Sequence, residues 1–201
     1  MKIVHLIAGI ALSATPSLAE ETAQLDAHEH GVGQLNIAFD ENKIAMELHA
    51  PGADIVGFEY GAKSDADLAA IDGALQTLSD PLGLFSIPEA ASCIVILAHA
   101  ELESENSDHG EEGHDEHDEE GHDDHDEEGH DDHDEAPSHT EFHAEYLLEC
   151  ANLTEISAIT FPYFEIFPNA LELEVQVISD KGATAFEIER DLAKLDLRGI
   201  F

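Results

Sequence analysis

Positive charge is scarce in this chain. Lys and Arg number seven against 46 Asp and Glu, a formal net charge of −39, and no base falls between Lys63 and Lys181. Such a polyanion is repelled by nucleic-acid phosphates and by anionic lipid, so neither is expected as a partner, and metal cations are. Long apolar runs are lacking too. After the first 19 residues nothing approaches the roughly 20 apolar residues that span a bilayer, so the remainder is not membrane-embedded. Enzyme signatures are also missing. There is no H-E-x-x-H, no G-x-S-x-G and no P-loop, and a metallohydrolase would need an open three-ligand zinc site with a base that no motif marks. The reading is therefore of a binding protein, not an enzyme. Cysteine is limited to Cys93 and Cys150. An even count in an exported chain suggests one disulfide, with two free buried thiols or a zinc thiolate pair as the alternatives.

Export is read from the N-terminus. Lys2 gives a positive start, residues 3–14 form a short apolar stretch, Pro16 breaks it, and Ser17-Leu18-Ala19 is a small-x-small cleavage site. Residues 1–19 thus read as a signal peptide and residues 20–201 as the exported, periplasmic part.

Hydrophobic residues make up 43% of the chain, enough for a packed core. Alternation over 33–39 (Leu35, Ile37, Phe39) and 43–49 (Ile44, Met46, Leu48) predicts a hairpin turned at Asp40-Glu41-Asn42 and ended by Pro51-Gly52. Ser64 is a good N-cap for a helix over 65–78, with apolar residues at 68, 71, 75 and 78. The apolar run 93–98 predicts a buried strand within 91–102. Residues 141–150 have strand character. The aromatic stretch 153–167 fits either a broken helix or an extended segment. Strict alternation over 171–178, the Asp180-Lys181-Gly182 turn and residues 183–189 predict a second hairpin. The expected fold is α+β, mostly antiparallel strands with one or two helices, interrupted between two adjacent strands by a low-complexity insertion over 104–138. A Cys93–Cys150 bridge is expected to clasp the base of that insertion.

The insertion carries the plainest chemistry. Residues 111–118, 119–126 and 127–134 are three copies of one octapeptide, Glu-Glu-Gly-His-Asp-acid-His-Asp. Each sets two histidines three apart: His114 and His117, then His122 and His125, then His130 and His133, with His109 preceding them. All seven are candidate metal ligands. Fifteen carboxylates in 24 residues, with glycine in every repeat, cannot build a core, so disorder is expected. Imidazole is a borderline ligand suited to zinc, copper or nickel, and carboxylates add oxygens and orient the rings. An acidic loop without histidine would instead suit Ca²⁺. At two or three histidines per ion the repeats suit roughly two or three zinc ions.

In the folded part, His28-Glu29-His30 precedes the first strand, and alternate residues on extended chain share a face. His139 and His143 lie where the insertion re-enters, and both are candidate metal ligands with His28, His30 and Glu59. His49 ends a strand, His99 reads as a surface histidine of an edge strand, and Glu59 sits in a segment too short for periodicity.

His28-Glu29-His30-Gly31 with the following strand resembles the ZrgA-like family of zinc-regulated periplasmic proteins. The resemblance extends to Ala50-Pro51-Gly52-Ala53-Asp54-Ile55-Val56-Gly57-Phe58-Glu59 and to His139-Thr140-Glu141-Phe142 with Tyr146 and Cys150. It also takes in Phe164-Glu165-Ile166-Phe167-Pro168. It implies zinc binding in the periplasm in service of an ABC-type zinc importer, with His28, His30, Glu59 and His139 as ligands. The position after Glu59, often histidine in that family, is Tyr60 here. The expected function is capture and delivery of Zn²⁺. The alternatives are a passive buffer against excess zinc, copper or nickel, or a calcium-stabilised surface module. Histidine ligation requires neutral rings, so zinc affinity is expected to fall as the pH drops through about 6.5. Zinc titrations at about pH 7.5 and about pH 5.5 test this, and equal affinities would exclude imidazole as the ligand.

Overall fold

The structure, a computed structural model, describes residues 29–104 and 139–200. The segment read as a signal peptide and the ligand candidate His28 lie outside the described residues. So do the insertion's candidates His109, His114, His117, His122, His125, His130 and His133. No helix among the described residues is long and apolar enough to cross a membrane.

Both predicted hairpins form. β1 (Val32–Asp40) and β2 (Lys43–Pro51) pair through a two-residue turn, Glu41-Asn42, and β6 (Glu172–Ser179) pairs with β7 (Gly182–Glu189). The helix α2 (Asp65–Leu78) starts where the capping pattern places it. Ser64 Oγ accepts from the Asp67 amide at 3.1 Å, and Asp67 accepts from the Ser64 amide at 3.0 Å. Its buried face is Ile71, Ala74 and Leu78, while Leu68, expected inside, is exposed.

β3 (Cys93–Ser104) and β4 (Thr140–Cys150) flank the insertion and pair with each other, and a six-stranded sheet results in the order β3-β4-β2-β1-β6-β7. The neighbours are antiparallel except β1 and β6, which run parallel, a pairing that the long intervening chain allows. The short pair β5 (Ala158–Thr160) and β8 (Lys194–Asp196) forms a second sheet. Besides α2 there are three one-turn α-helices among the described residues, α1 (Gly52–Ile55), α3 (Pro81–Leu84) and α4 (Tyr163–Ile166), and three short 3-10 turns. The fold is α+β and antiparallel-rich, with more helical segments than the one or two expected.

One sheet face is covered. Leu35, Ile37, Ile44, Leu48, Phe142, Tyr146, Leu148 and Leu173 point into a single core with the α2 side chains and the aromatics Phe85, Phe161, Tyr163, Phe164 and Phe167. Those aromatics resolve the ambiguous stretch as a short strand followed by one helical turn. The Tyr146 hydroxyl donates to the Leu78 carbonyl at 2.9 Å and ties the sheet to the end of α2. The opposite face is open.

Two expectations are corrected. β3 is not a buried strand: it is the sheet edge, and Ile94, Val95, Ile96 and Leu97 are exposed. An unbroken apolar run carries no period, so it cannot distinguish a central strand from an edge. The Cys93–Cys150 disulfide forms, but not at the base of the insertion. Cys93 opens β3 and Cys150 closes β4, so the bridge joins the far end of that pair. The insertion leaves at Ser104 and returns beside Thr140, about 36 Å away at the usual strand rise. Backbone pairing, not the bridge, holds its two roots together.

The bridge closes a separation of 57 residues. Its removal by Cys93→Ser with Cys150→Ser is expected to lower stability by up to about 4 kcal/mol in the chain-entropy estimate. Zinc binding should survive, since the sulfurs are remote from the insertion. Denaturant unfolding beside a zinc titration of the same variant checks both.

Candidate metal centre

Three side chains that are far apart in sequence meet at the mouth of the insertion. His30 Nε2 lies 3.0 Å from Glu59 Oε2, and His139 Nδ1 lies 2.9 Å from the same oxygen. An ionised carboxylate only accepts, so both rings donate through these nitrogens.

The local sequence explains how they come together. Gly31 adopts φ +90°, a left-handed conformation that turns the chain from His30 into β1. Its amide donates to Asp54 Oδ1 at 2.8 Å, and its carbonyl accepts from Leu171 and Glu172. Asp54 belongs to α1, directly after β2, and is buried. His30 is thus pinned to the segment that leads to Glu59. Gly52 meets the other side. A Cβ there would fall 2.5 Å from Thr140 Oγ1 and 2.7 Å from the Phe58 carbonyl oxygen. Only glycine lets the Phe58-Glu59 strip pass this close to Thr140, and so lets Glu59 reach His139. Tyr60, next to Glu59, stacks on Phe58 with centroids 4.7 Å apart and brings no imidazole.

Charge at the cluster is finely set. Burial, the largest influence on Glu59, disfavours its charge. Hydrogen bonds from His139 and His30 outweigh that, and the carboxyl is held below its usual range. Asp54 goes the other way: burial raises it, and the nearby Glu59 charge adds to the shift. Two buried acceptor oxygens, Glu59 Oε1 and Asp54 Oδ2, have no hydrogen-bond partner. An orphaned buried carboxyl oxygen is costly, and a bound cation is one partner that would satisfy it. Two imidazoles and a carboxylate are ligands that zinc takes, but an ion entering here has to replace the protons that both rings now donate to Glu59. The side chains of His30 and His139 are 67% and 43% exposed against 12% for Glu59, so an ion held there is open to solvent.

Of the residues named from sequence, His30, Glu59 and His139 are brought together here. His143 is not: it sits four residues along β4, its ring stacked on His49 with centroids 4.4 Å apart. His49 is not among the ligands expected from sequence, because a lone histidine at a strand end carries no signal until strand pairing sets it opposite another. His99 is exposed on the edge strand, as expected. A concavity of about 590 Å³ lies elsewhere along the open face and is lined by Gln34, Asn36, Glu174, Gln176 and Glu187 among others, without histidine. A small ion needs converging donor atoms rather than volume, so the histidine clusters are the chemically informative places.

Among known protein families, the one described as ZrgA family zinc uptake protein matches residues 27–197 of the chain. No curated protein matches the chain significantly.

A Gly52→Ala variant tests the geometry without touching a donor. The added methyl must displace the Phe58 carbonyl or Thr140, which moves Glu59 away from His139. A loss of about 10–100-fold in zinc affinity at this cluster is expected, the range for outer-shell changes. Calorimetry measures it, and an unchanged affinity would refute the role given to Gly52.

Proposed function

Because the chain belongs to the ZrgA family of zinc uptake proteins, we propose that it captures Zn²⁺ in the periplasm and passes it to an ABC-type zinc importer, acting as a binding protein and not as an enzyme. The observation that carries this reading is the convergence of His30, Glu59 and His139 on a single carboxylate oxygen. Capture followed by release needs a site that is neutral-imidazole based, oxygen-assisted and open, because a closed four-ligand cage suits structural zinc that is never given up. The exposure of both rings is consistent with exchange.

Chain order supports a division of labour. The last histidine repeat, with His130 and His133, ends at Asp134, five residues before His139. Ions gathered by the repeats are delivered to the point where the chain enters the sheet, and the His30–Glu59–His139 cluster is the first fixed donor group they meet. Imidazole also accepts copper and nickel. Zinc is preferred here because it is the metal of the family.

Growth separates uptake from buffering. In the native host, loss of the protein is expected to slow growth when zinc is scarce. The intact chain should restore it, and a His30→Ala, Glu59→Ala, His139→Ala variant should not. If loss of the protein instead sensitises cells to excess zinc and leaves scarcity untouched, the protein is a buffer and the delivery reading is wrong.

A further inference from the structure

The open sheet face carries a second donor group, of which only His143 is a candidate ligand from the sequence. β2 and β4 are neighbours, and their register sets His49 directly opposite His143. The rings stack at 4.4 Å with planes 20° apart. Their Nε2 atoms converge on one oxygen: Glu47 Oε1 lies 3.5 Å from that of His49 and 3.4 Å from that of His143. One donor atom from each of the three residues lies within 4.8 Å of the other two.

These separations are long for hydrogen bonds, whose N···O distances run to about 3.2 Å. Indeed His143 Nε2 is buried and has no hydrogen-bond partner. They do fit the edges of a zinc tetrahedron. With Zn–N and Zn–O bonds of about 2.0–2.2 Å, ligand atoms sit about 3.3–3.5 Å apart.

The surroundings prepare these atoms further. Asn36 Nδ2 donates to Glu47 Oε2 at 3.2 Å, which fixes the carboxylate and leaves Oε1 toward the histidines. On the far side of each ring the Nδ1 faces carboxylates. Glu141 Oε2 is 3.5 Å from His49 Nδ1, and Glu103 Oε1 and Glu101 Oε1 are 3.7 and 3.9 Å from His143 Nδ1. Carboxylates thus stand behind each ring where they can take up the Nδ1 proton once an ion engages the Nε2 lone pair, the arrangement found behind histidines that bind zinc. The pattern holds for both rings at once.

We infer that His49, His143 and Glu47 form a second, independent three-ligand site for a borderline dication such as Zn²⁺, with the fourth position open to water or an incoming donor. It extends the zinc-binding reading of this chain to a second place, about 13 Å along β4 from His139 at strand rise. Glu141 lies between the two on the same strand face. Both sites draw a ligand from β4 or its root, so the sheet holds two ions at a fixed spacing.

Zinc-edge anomalous diffraction from crystals of the full chain grown with Zn²⁺ locates each ion directly. A peak about 2.1 Å from Nε2 of both His49 and His143 is expected. A peak beside Glu59 with none here would overturn this inference and leave the proposed function standing. A peak here with none beside Glu59 would support it and sink the first site. No peak at either would end both. In solution, His49→Gln with His143→Gln in the full chain is expected to lose one zinc per chain in equilibrium dialysis, and Glu59→Ala to lose a different one. Glu47→Gln, which keeps the side-chain shape, serves if the double variant folds poorly. It is expected to weaken the same zinc at least tenfold, and unchanged binding would again overturn the inference.

Discussion

The pleat of one strand governs this molecule. Along β4, Thr140, Phe142, Ala144, Tyr146, Leu148 and Cys150 are buried, and the residues between them face the other way. Side chains alternate with a period of two, so a one-residue slip would exchange the faces completely. The core on one side therefore fixes where Glu141, His143 and Glu145 must appear on the other. Pairing with β2 on one flank and β3 on the other then brings Glu47 and His49 in from one direction and Glu101 and Glu103 from the opposite one. The donor groups need no loop of their own to hold them, because a hydrophobic core holds them from behind.

The His30–Glu59–His139 cluster is built by a different device. Its three members come from an N-terminal arm, a turn after β2 and the root of the insertion. What joins them is one buried carboxylate, Asp54, receiving the Gly31 amide, together with the close pass at Gly52. The first site thus depends on backbone proximity and the second on sheet register. They tolerate different insults: loosening the N-terminal arm leaves the β2–β4 rung untouched.

Much of the fold is legible in advance where side chains repeat with a clear period. The β1–β2 and β6–β7 hairpins and α2 with its Ser64 cap fall in this class. The β1–β6 parallel pairing does not, since it joins residues more than a hundred positions apart and leaves no local mark. β3 reads as core because four apolar residues in a row look the same in the middle of a sheet and at its border. The place of the disulfide depends on strand direction: a strand leaving Cys93 carries the chain away from the bridge before the insertion begins. For the sites, Glu59 is reached only through resemblance, and the burial of its carboxyl is invisible to pattern. Glu47 and His49 are two apart on one strand and look ordinary until β4 is laid beside them.

The exposed border of the sheet has a consequence for how the molecule keeps to itself. β3 presents twelve residues of half-unpaired backbone with Ile94, Val95, Ile96 and Leu97 outward, and it contains neither lysine nor proline. Those residues are the usual guards against strand-to-strand adhesion. Here the guard is collective, a net charge of −39 on the chain, with fifteen of its carboxylates gathered in residues 111–134. Such protection acts through space over about 10 Å at 0.1 M salt, and every dication bound subtracts from it. Colloidal behaviour and cargo are therefore coupled: the protein is most strongly self-avoiding when empty, and its sheet border is least shielded when it is full.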